Sequence, residues 1–314
     1  MNQELKSENQ FKESDFHQNS TFEILKDKKI GNGSFGMIYQ CRDLSNGINL
    51  AIKIENCSFQ HNKPTLEYES KILKYLQGGI GIPKFYSYFS SNNYNFMIFE
   101  LLGKNLEDVF SSKCNKSFSL STIVQLGEQM LNRIEFLHSK GFLHCDIKPE
   151  NFVMGSGSKK NIVYLIDFGI SKRFRNSKTK AHIPYLEGQK MKGTARYTSI
   201  NSHLKISLSR RDDLESLAYC IIYFYKGYLP WQIVKSKSEN ERYQQIMDMK
   251  IELERYSFFY ELPENMKTFL QYVKHLEFEE TPDYRYLRKL LREMNTEKQN
   301  NNNNKEYVFE WNRN

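Results

Sequence analysis

FLHCDIKPEN, residues 142–151, sets an acid, a cation and an amide in fixed order: Asp146, then Lys148, then Asn151. Phe142 and Leu143 read as the end of a short apolar strand, so the polar groups fall on the loop that leaves it. A carboxylate at such a strand exit can orient a hydroxyl and accept its proton. The ammonium of Lys148 can neutralise an anionic group in motion, and the Asn151 amide oxygen can hold a metal ion. Downstream, VYLIDFG (163–169) brings a second carboxylate, Asp167, from the end of another apolar strand. The metal-binding pair Asn151 and Asp167 offers hard oxygen ligands, which together with phosphate oxygens suit Mg²⁺.

Working outward towards the N-terminus, GNGSFG (31–36) matches G-x-G-x-x-G through Gly31, Gly33 and Gly36, with Ser34 between them. Missing side chains let backbone N–H groups approach phosphate oxygens. The same spacing opens a helix in dinucleotide-binding folds, but here MIYQCRD follows, which reads as a strand, so the glycine loop joins two strands. One strand later comes AIK (51–53). This run resembles the lysine strand of protein kinases, and the resemblance implies that Lys53 would bind the α- and β-phosphates of a nucleotide, held by a carboxylate on the following helix; Glu69 is the better-placed partner and Glu67 the alternative.

Along the chain the pattern changes once. Residues 1–20 are a polar extension rich in Asn, Gln, Ser and Glu, expected to be flexible. From residue 21 to about 100, short strand-like runs dominate, interrupted by one helix expected to start at Pro64 and to stop by Gly78 and Gly79. After Glu100 helices take over. Apolar residues Leu120, Ile123, Val124, Met130, Leu131, Ile134 and Leu137 recur on one helical face, and DLESLAYCIIYFY (213–225) is apolar almost all round in its second half, the mark of a buried helix. This predicts an α+β architecture: a small β-rich lobe (about 21–100), a connection at ELLG (100–103) and a larger α-helical lobe (about 104–311), with an Asn-rich insertion at 298–305.

At 314 residues, with 39% hydrophobic and 14% aromatic content, the chain can bury real cores. Five scattered cysteines without C-x-x-C spacing argue against a disulfide framework or a zinc site, and point to reduced thiols in the cytosol or nucleus. No apolar run reaches membrane-spanning length, and the opening MNQELKSENQ has no signal-peptide core. The net charge of +8 fits an anionic partner, yet no nucleic-acid recognition motif accompanies it, so no specific nucleic-acid partner is expected.

Taken together these motifs resemble the eukaryotic protein kinases, and more narrowly the casein kinase 1 family. The narrow likeness rests on YESKIL (68–73), LQGGIGIP (76–83), ELLGKNLEDVF (100–110), HIPY (182–185), GTARYTSINSHL (193–204), SRRDDLESLAY (209–219), LPWQ (229–232), PDYRYLRKLLR (282–292) and the closing YVFEW (307–311). It covers about residues 22–311 apart from the Asn tract. The resemblance implies a bilobal serine/threonine kinase that uses ATP and Mg²⁺. Ile38, Ala51, Phe99, Glu100 and Leu102 would join the glycine loop, Lys53 and Glu69 in binding ATP. Thr194 would bond the catalytic Asp146 and Lys148, and Arg196 and Arg242 would bind an anion, favouring protein substrates already phosphorylated or acidic. The catalytic unit would be a monomer in the cytoplasm or nucleus. Docking to a cytoskeletal or other large assembly, with little or no catalysis, is the alternative role.

Departures from that pattern carry their own expectations. Cys145 stands where many kinases have an arginine that pairs with a phosphorylated activation segment, so activation by that route is not expected. The transfer residues are untouched by it. A thiol nucleophile beside His144 is the rival reading of Cys145, but neighbours on an extended loop point apart and no oxyanion site accompanies them. Phe99 should narrow the pocket behind adenine, Ala218 replaces a family glycine, and Ile233 replaces a glycine at the anion site.

Overall fold

The computed structural model describes residues 21–33, 36–57, 65–113, 117–295 and 309–312. The polar extension, Ser34, the expected helix start at Pro64 and the Asn-rich tract lie outside the described residues. One compact unit is drawn from Met1–Gln77 and Pro83–Leu101, the other from Gly78–Ile82 and Leu102–Asn314.

The first unit is a five-stranded antiparallel sheet, β1 (Phe22–Gly33), β2 (Gly36–Asp43), β3 (Asn49–Asn56), β4 (Phe85–Ser91) and β5 (Tyr94–Glu100), in the order β1-β2-β3-β5-β4. Alternation along β3 sends Leu50, Ile52 and Ile54 to one face, where they pack with Cys41, Phe96 and Ile98. Ala51, Lys53 and Glu55 go to the other, and they too are buried. Gly36 is required by how closely β2 passes β3: a Cβ there would lie 2.2 Å from the Ile54 carbonyl oxygen.

Among the described residues one helix, α1 (Leu66–Tyr75), belongs to this unit. Thr65 provides no side-chain cap; the Glu55 carboxylate does so instead, accepting from the N–H groups of Thr65 (2.7 Å) and Leu66 (3.2 Å). An acid at the positive end of a helix satisfies donors that would otherwise be orphaned. Glu55 thereby ties the start of α1 to β3, two residues from Lys53.

The second unit is helical. Its main elements are α2 (Leu106–Lys113), α3 (Leu120–Ser139), α4 (Ile200–His203), α5 (Arg210–Lys226), α6 (Glu239–Ile251), α7 (Ser257–Tyr260), α8 (Glu264–His275) and α9 (Tyr284–Glu293). The buried helix expected from Asp213 begins a turn earlier, because the Asp212 carboxylate accepts from the Ser209 N–H (2.6 Å) and closes its start. It ends at Gly227, whose φ of 81° only glycine adopts at low cost. Residues 212–224 of α5 are all buried, with α3 and α8 packed against it.

Ser119 caps α3, and Glu310 adds a carboxylate there, accepting from the Ser119 N–H (3.3 Å) and the Thr122 hydroxyl (3.2 Å). Phe309 is fully buried and Trp311 lies against Phe118, so both rings are integral to this core. Two short antiparallel pairs complete the unit: β6 (Phe142–Leu143) pairs with β9 (Lys172–Arg173), and β7 (Phe152–Met154) with β8 (Val163–Leu165). Cys41, Cys57, Cys145 and Cys220 are free thiols. Among the described residues no helix is long and apolar enough to cross a membrane.

Candidate active site

In the first unit the strand register lines up the residues expected to meet a nucleotide. Gly31 pairs with Ile38, Ile38 with Lys53, and Ala51 with Phe99. Directly paired residues share a face, and period 2 keeps Ala51 with Lys53, so Ile38, Ala51, Lys53 and Phe99 lie on one side of the sheet. Lys53 Nζ donates to Glu69 Oε2 at 2.7 Å, with side chains 3% and 4% exposed. Glu67 points outward and pairs with Lys71 one turn on. The geometry therefore selects Glu69 over Glu67. Glu100 closes β5, its carboxylate accepting from the Lys84 N–H at 3.1 Å. Leu102 opens the second unit, followed by Gly103, whose N–H donates to the Met154 carbonyl.

In the second unit, the loop that leaves β6 is held from below by one buried carboxylate. Asp213 Oδ2 accepts from the His144 N–H (2.7 Å) and His138 Nε2 (2.9 Å), and Oδ1 accepts from the Cys145 N–H (2.9 Å). These bonds hold Cys145 at φ 67°, a left-handed conformation that costs a non-glycine residue of order 1–2 kcal/mol. His144 is fully buried; its Nδ1 accepts from the Asp146 N–H (3.3 Å), which leaves Nε2–H to donate to the Ile166 carbonyl (2.9 Å). That bond ties the 142–151 loop to the residue before Asp167. Burial by itself would raise the Asp213 carboxyl, but the His138 hydrogen bond, the His138 and His144 rings and the His144 N–H outweigh it and hold the group below the usual carboxylate range.

Asp146 has both carboxylate oxygens engaged. Oδ1 accepts from the N–H and the hydroxyl of Thr194, each at 2.9 Å, and Oδ2 lies 2.7 Å from Lys148 Nζ and 3.3 Å from Asn151 Nδ2. Lys148 also donates to the Thr194 hydroxyl at 3.1 Å. Gly193 makes this approach possible: at φ 82°, a Cβ there would come within 2.7 Å of the Cys145 carbonyl oxygen. Asn151 is buried and donates to the Asp146 carbonyl (2.8 Å), while its own carbonyl accepts from the Ile166 N–H (3.0 Å). Asp167 takes φ 64°, directly after that bond.

Among the described residues no cluster of three or more His, Cys, Asp or Glu side chains forms a metal cage. With the Asn151 amide nitrogen spent on Asp146, its oxygen is the acceptor left for a cation, and Asp167 supplies a carboxylate close by in sequence and hydrogen bonding. Two hard oxygen donors fit Mg²⁺ that keeps its remaining coordination for water and phosphate. The residues present therefore fit a nucleotide-borne metal.

Arg196 and Arg242 are not joined by any hydrogen bond or ring contact. The Arg196 guanidinium lies by the Tyr197 hydroxyl (3.5 Å) and feels Tyr223 and Glu107, whereas Arg242 is exposed on α6. Ile233 is 78% exposed. The Cys145 thiol is buried, and burial followed by the charge of Asp213 pushes it far above the usual thiol range, which removes the nucleophile reading.

Sequence reasoning assigned no role to Asp213, His138 or Glu55. A charged residue in the first turns of a helix whose second half is apolar was the available signal for Asp213; its partners lie 68–75 positions away and no local pattern announces them.

Asp213→Asn is expected to lower stability by about 2–3 kcal/mol, since an amide turns an NH₂ towards N–H donors. The depressed carboxyl contributes stability that is complete above the unfolded-chain value of roughly 4 and is lost as pH falls through the lower folded value. Urea unfolding of both proteins between pH 3 and 6 should therefore show a steeper acid loss in the wild type; parallel curves would refute the assignment.

Residues 24–288 match the family model described as the protein kinase domain.

Proposed function

Since the chain belongs to the protein kinase domain family, and so is a phosphotransferase that uses ATP, we infer that it is a serine/threonine kinase of casein kinase 1 type. It acts on acidic or already phosphorylated protein substrates and needs no phosphorylation of its own activation segment. The observation that carries transfer is Asp146, both of whose oxygens are held by Thr194, Lys148 and Asn151. A base oriented in this way can align an acceptor hydroxyl and take its proton as the bond to phosphorus forms. Lys148, 2.7 Å from that carboxylate, balances charge as the phosphoryl group moves. Mg²⁺ bound with ATP, held by Asn151 and Asp167, would draw charge from the phosphate oxygens. Lys53, ordered by Glu69, would hold the α- and β-phosphates.

Independence from segment phosphorylation rests on Cys145: a buried neutral thiol cannot pair with phosphate. The substrate class rests on the family likeness of residues 182–204 and on Arg196, whose backbone is held by Trp231 Nε1 at 2.7 Å.

Matched peptides carrying Ser, Thr or Tyr at the target, with and without phosphoserine three residues before it, test the reading. Ser and Thr should be labelled and Tyr not. Priming should raise kcat/KM about tenfold, the size of one charge-assisted bond, and Arg196→Ala should erase that gain. Phosphatase pretreatment of the enzyme should leave its rate unchanged. Equal labelling of Tyr, or no gain from priming, would overturn the substrate assignment.

A further inference from the structure

Lys250, near the end of α6, is fully buried. Its Nζ donates to the carbonyl oxygens of Ala195 (2.8 Å) and Thr198 (2.6 Å) and lies 3.2 Å from His203 Nε2. It also sits over the rings of Tyr219 (5.0 Å) and Trp231 (5.3 Å). Burying an amine this completely is costly, and burial, opposed by Glu215, pulls Lys250 down to about 7. A lysine needed only to fill space would be replaced at no loss by an apolar residue. What it does instead is hold backbone.

The held backbone is the run next to Asp146. Thr194 donates to Asp146 through both its N–H and its hydroxyl, and its own carbonyl closes a turn with the N–H groups of Tyr197 and Thr198. The carbonyls that follow are taken up from the opposite side: Ala195 by Lys250, Arg196 by Trp231 Nε1, and Thr198 by Lys250 again. Beyond them the Ile200 N–H donates to Glu215 (2.9 Å) and the Ser199 hydroxyl to Asp212 (2.7 Å). Residues 194–200 are thus suspended between the Asp146 carboxylate and a buried set on α5, α6 and the turn at Trp231. Within that set, Lys250 alone spans two of the carbonyls.

We propose that Lys250 is a positioning residue for phosphoryl transfer: by clasping the Ala195 and Thr198 carbonyls it keeps Thr194 in register with Asp146 and Lys148, and holds the Arg196 backbone between them. The role needs N–H donors rather than charge. A neutral amine still offers two hydrogens to the two carbonyls and can accept from a His203 Nε2–H, so the clasp survives deprotonation. Burial, then the Lys250 charge, depress His203 to about 3, so the ring stays neutral beside either form. The proposal rests on the phosphotransfer reading of Asp146.

The test is a double-mutant cycle of Lys250→Met with Thr194→Val, measured as kcat and KM for peptide and for ATP, with melting temperatures. Lys250→Met should lower kcat about tenfold in the wild-type background, the weight of one buried hydrogen bond, and leave the ATP KM unchanged. With Thr194→Val present, the further loss should be less than about threefold, because both changes disturb the same contact. Amide exchange in residues 192–204 should quicken in Lys250→Met, while that of the α5 core does not.

Equal losses in both backgrounds, or unchanged exchange across 192–204, would overturn the proposal and leave Lys250 a stability residue. Should Lys250→Met fail to fold, Lys250→Gln, which keeps N–H donors at shorter reach, carries the same cycle. Wild-type transfer compared with Asp146→Asn tests the phosphotransfer reading separately. If the wild type transfers nothing, that reading falls, while the exchange measurement still decides the clasp.

Discussion

Asp146→Asn is expected to slow phosphoryl transfer by ~10²–10⁴-fold, the usual worth of a positioned general base, with the ATP KM changed by no more than about twofold. The amide can keep its carbonyl oxygen on the Thr194 N–H and hydroxyl, as Oδ1 is kept now at 2.9 Å. On the other side it replaces Oδ2 by an NH₂ facing Lys148 and Asn151, both of which are donors at that position. The substitution therefore removes the proton acceptor and pushes Lys148 away from its seat. Because the backbone before Asp146 is held by Asp213 and the Asp146 carbonyl by Asn151, the fold should be unaffected. Single-turnover labelling of a peptide, with melting temperatures as a check, measures this. A variant that transfers within tenfold of wild type would show that Asp146 is not the base.

Lys53→Met should cost about 3–5 kcal/mol of stability as well as activity, and Lys53→Met/Glu69→Leu should recover most of the stability and none of the activity. The Glu69 carboxylate sits in a nearly sealed site 2.7 Å from Lys53 Nζ. Removing the cation alone strands a buried anion, whose desolvation is no longer offset. Replacing both by apolar groups of similar volume takes the charge problem away, and such swaps are often neutral in stability. The lysine's proposed second task, binding the nucleotide's phosphates, is not restored by packing. Urea unfolding and ATP titration on the two variants separate these effects. A double variant as unstable as the single would mean that the ion pair was not the source of the loss, and recovered ATP binding would remove Lys53 from the phosphate site.

Much of this chemistry was legible because it is local. The order Asp146, Lys148, Asn151 and the later Asp167 lie within short runs whose flanking apolar residues announce strands. The sequence ranked Glu69 above Glu67 but left Glu67 as an alternative. Two acids two positions apart on one helix face different ways, and the sequence does not say which way α1 is turned against β3. That turn is set by Glu55 at the start of α1, a carboxylate 10 positions upstream of the Thr65 hydroxyl and N–H it accepts from.

The amino-acid sequence by itself determined the two kinds of lobe, through period-2 alternation before Glu100 and helical spacing after it, and the inventory of acids, cations and glycines available for phosphate chemistry. Only the tertiary structure decided what holds that inventory still. Asp213 under the His144–Cys145 backbone, Gly193 against the Cys145 carbonyl, and Lys250 beneath Ala195 and Thr198 each act across 48 or more positions of chain. A hydrogen bond reports only where two groups finish in space, and the separation of donor from acceptor along the chain has no bearing on its strength. Residues of this kind therefore leave no periodic or motif signal, and they become visible once the helices that carry them are packed.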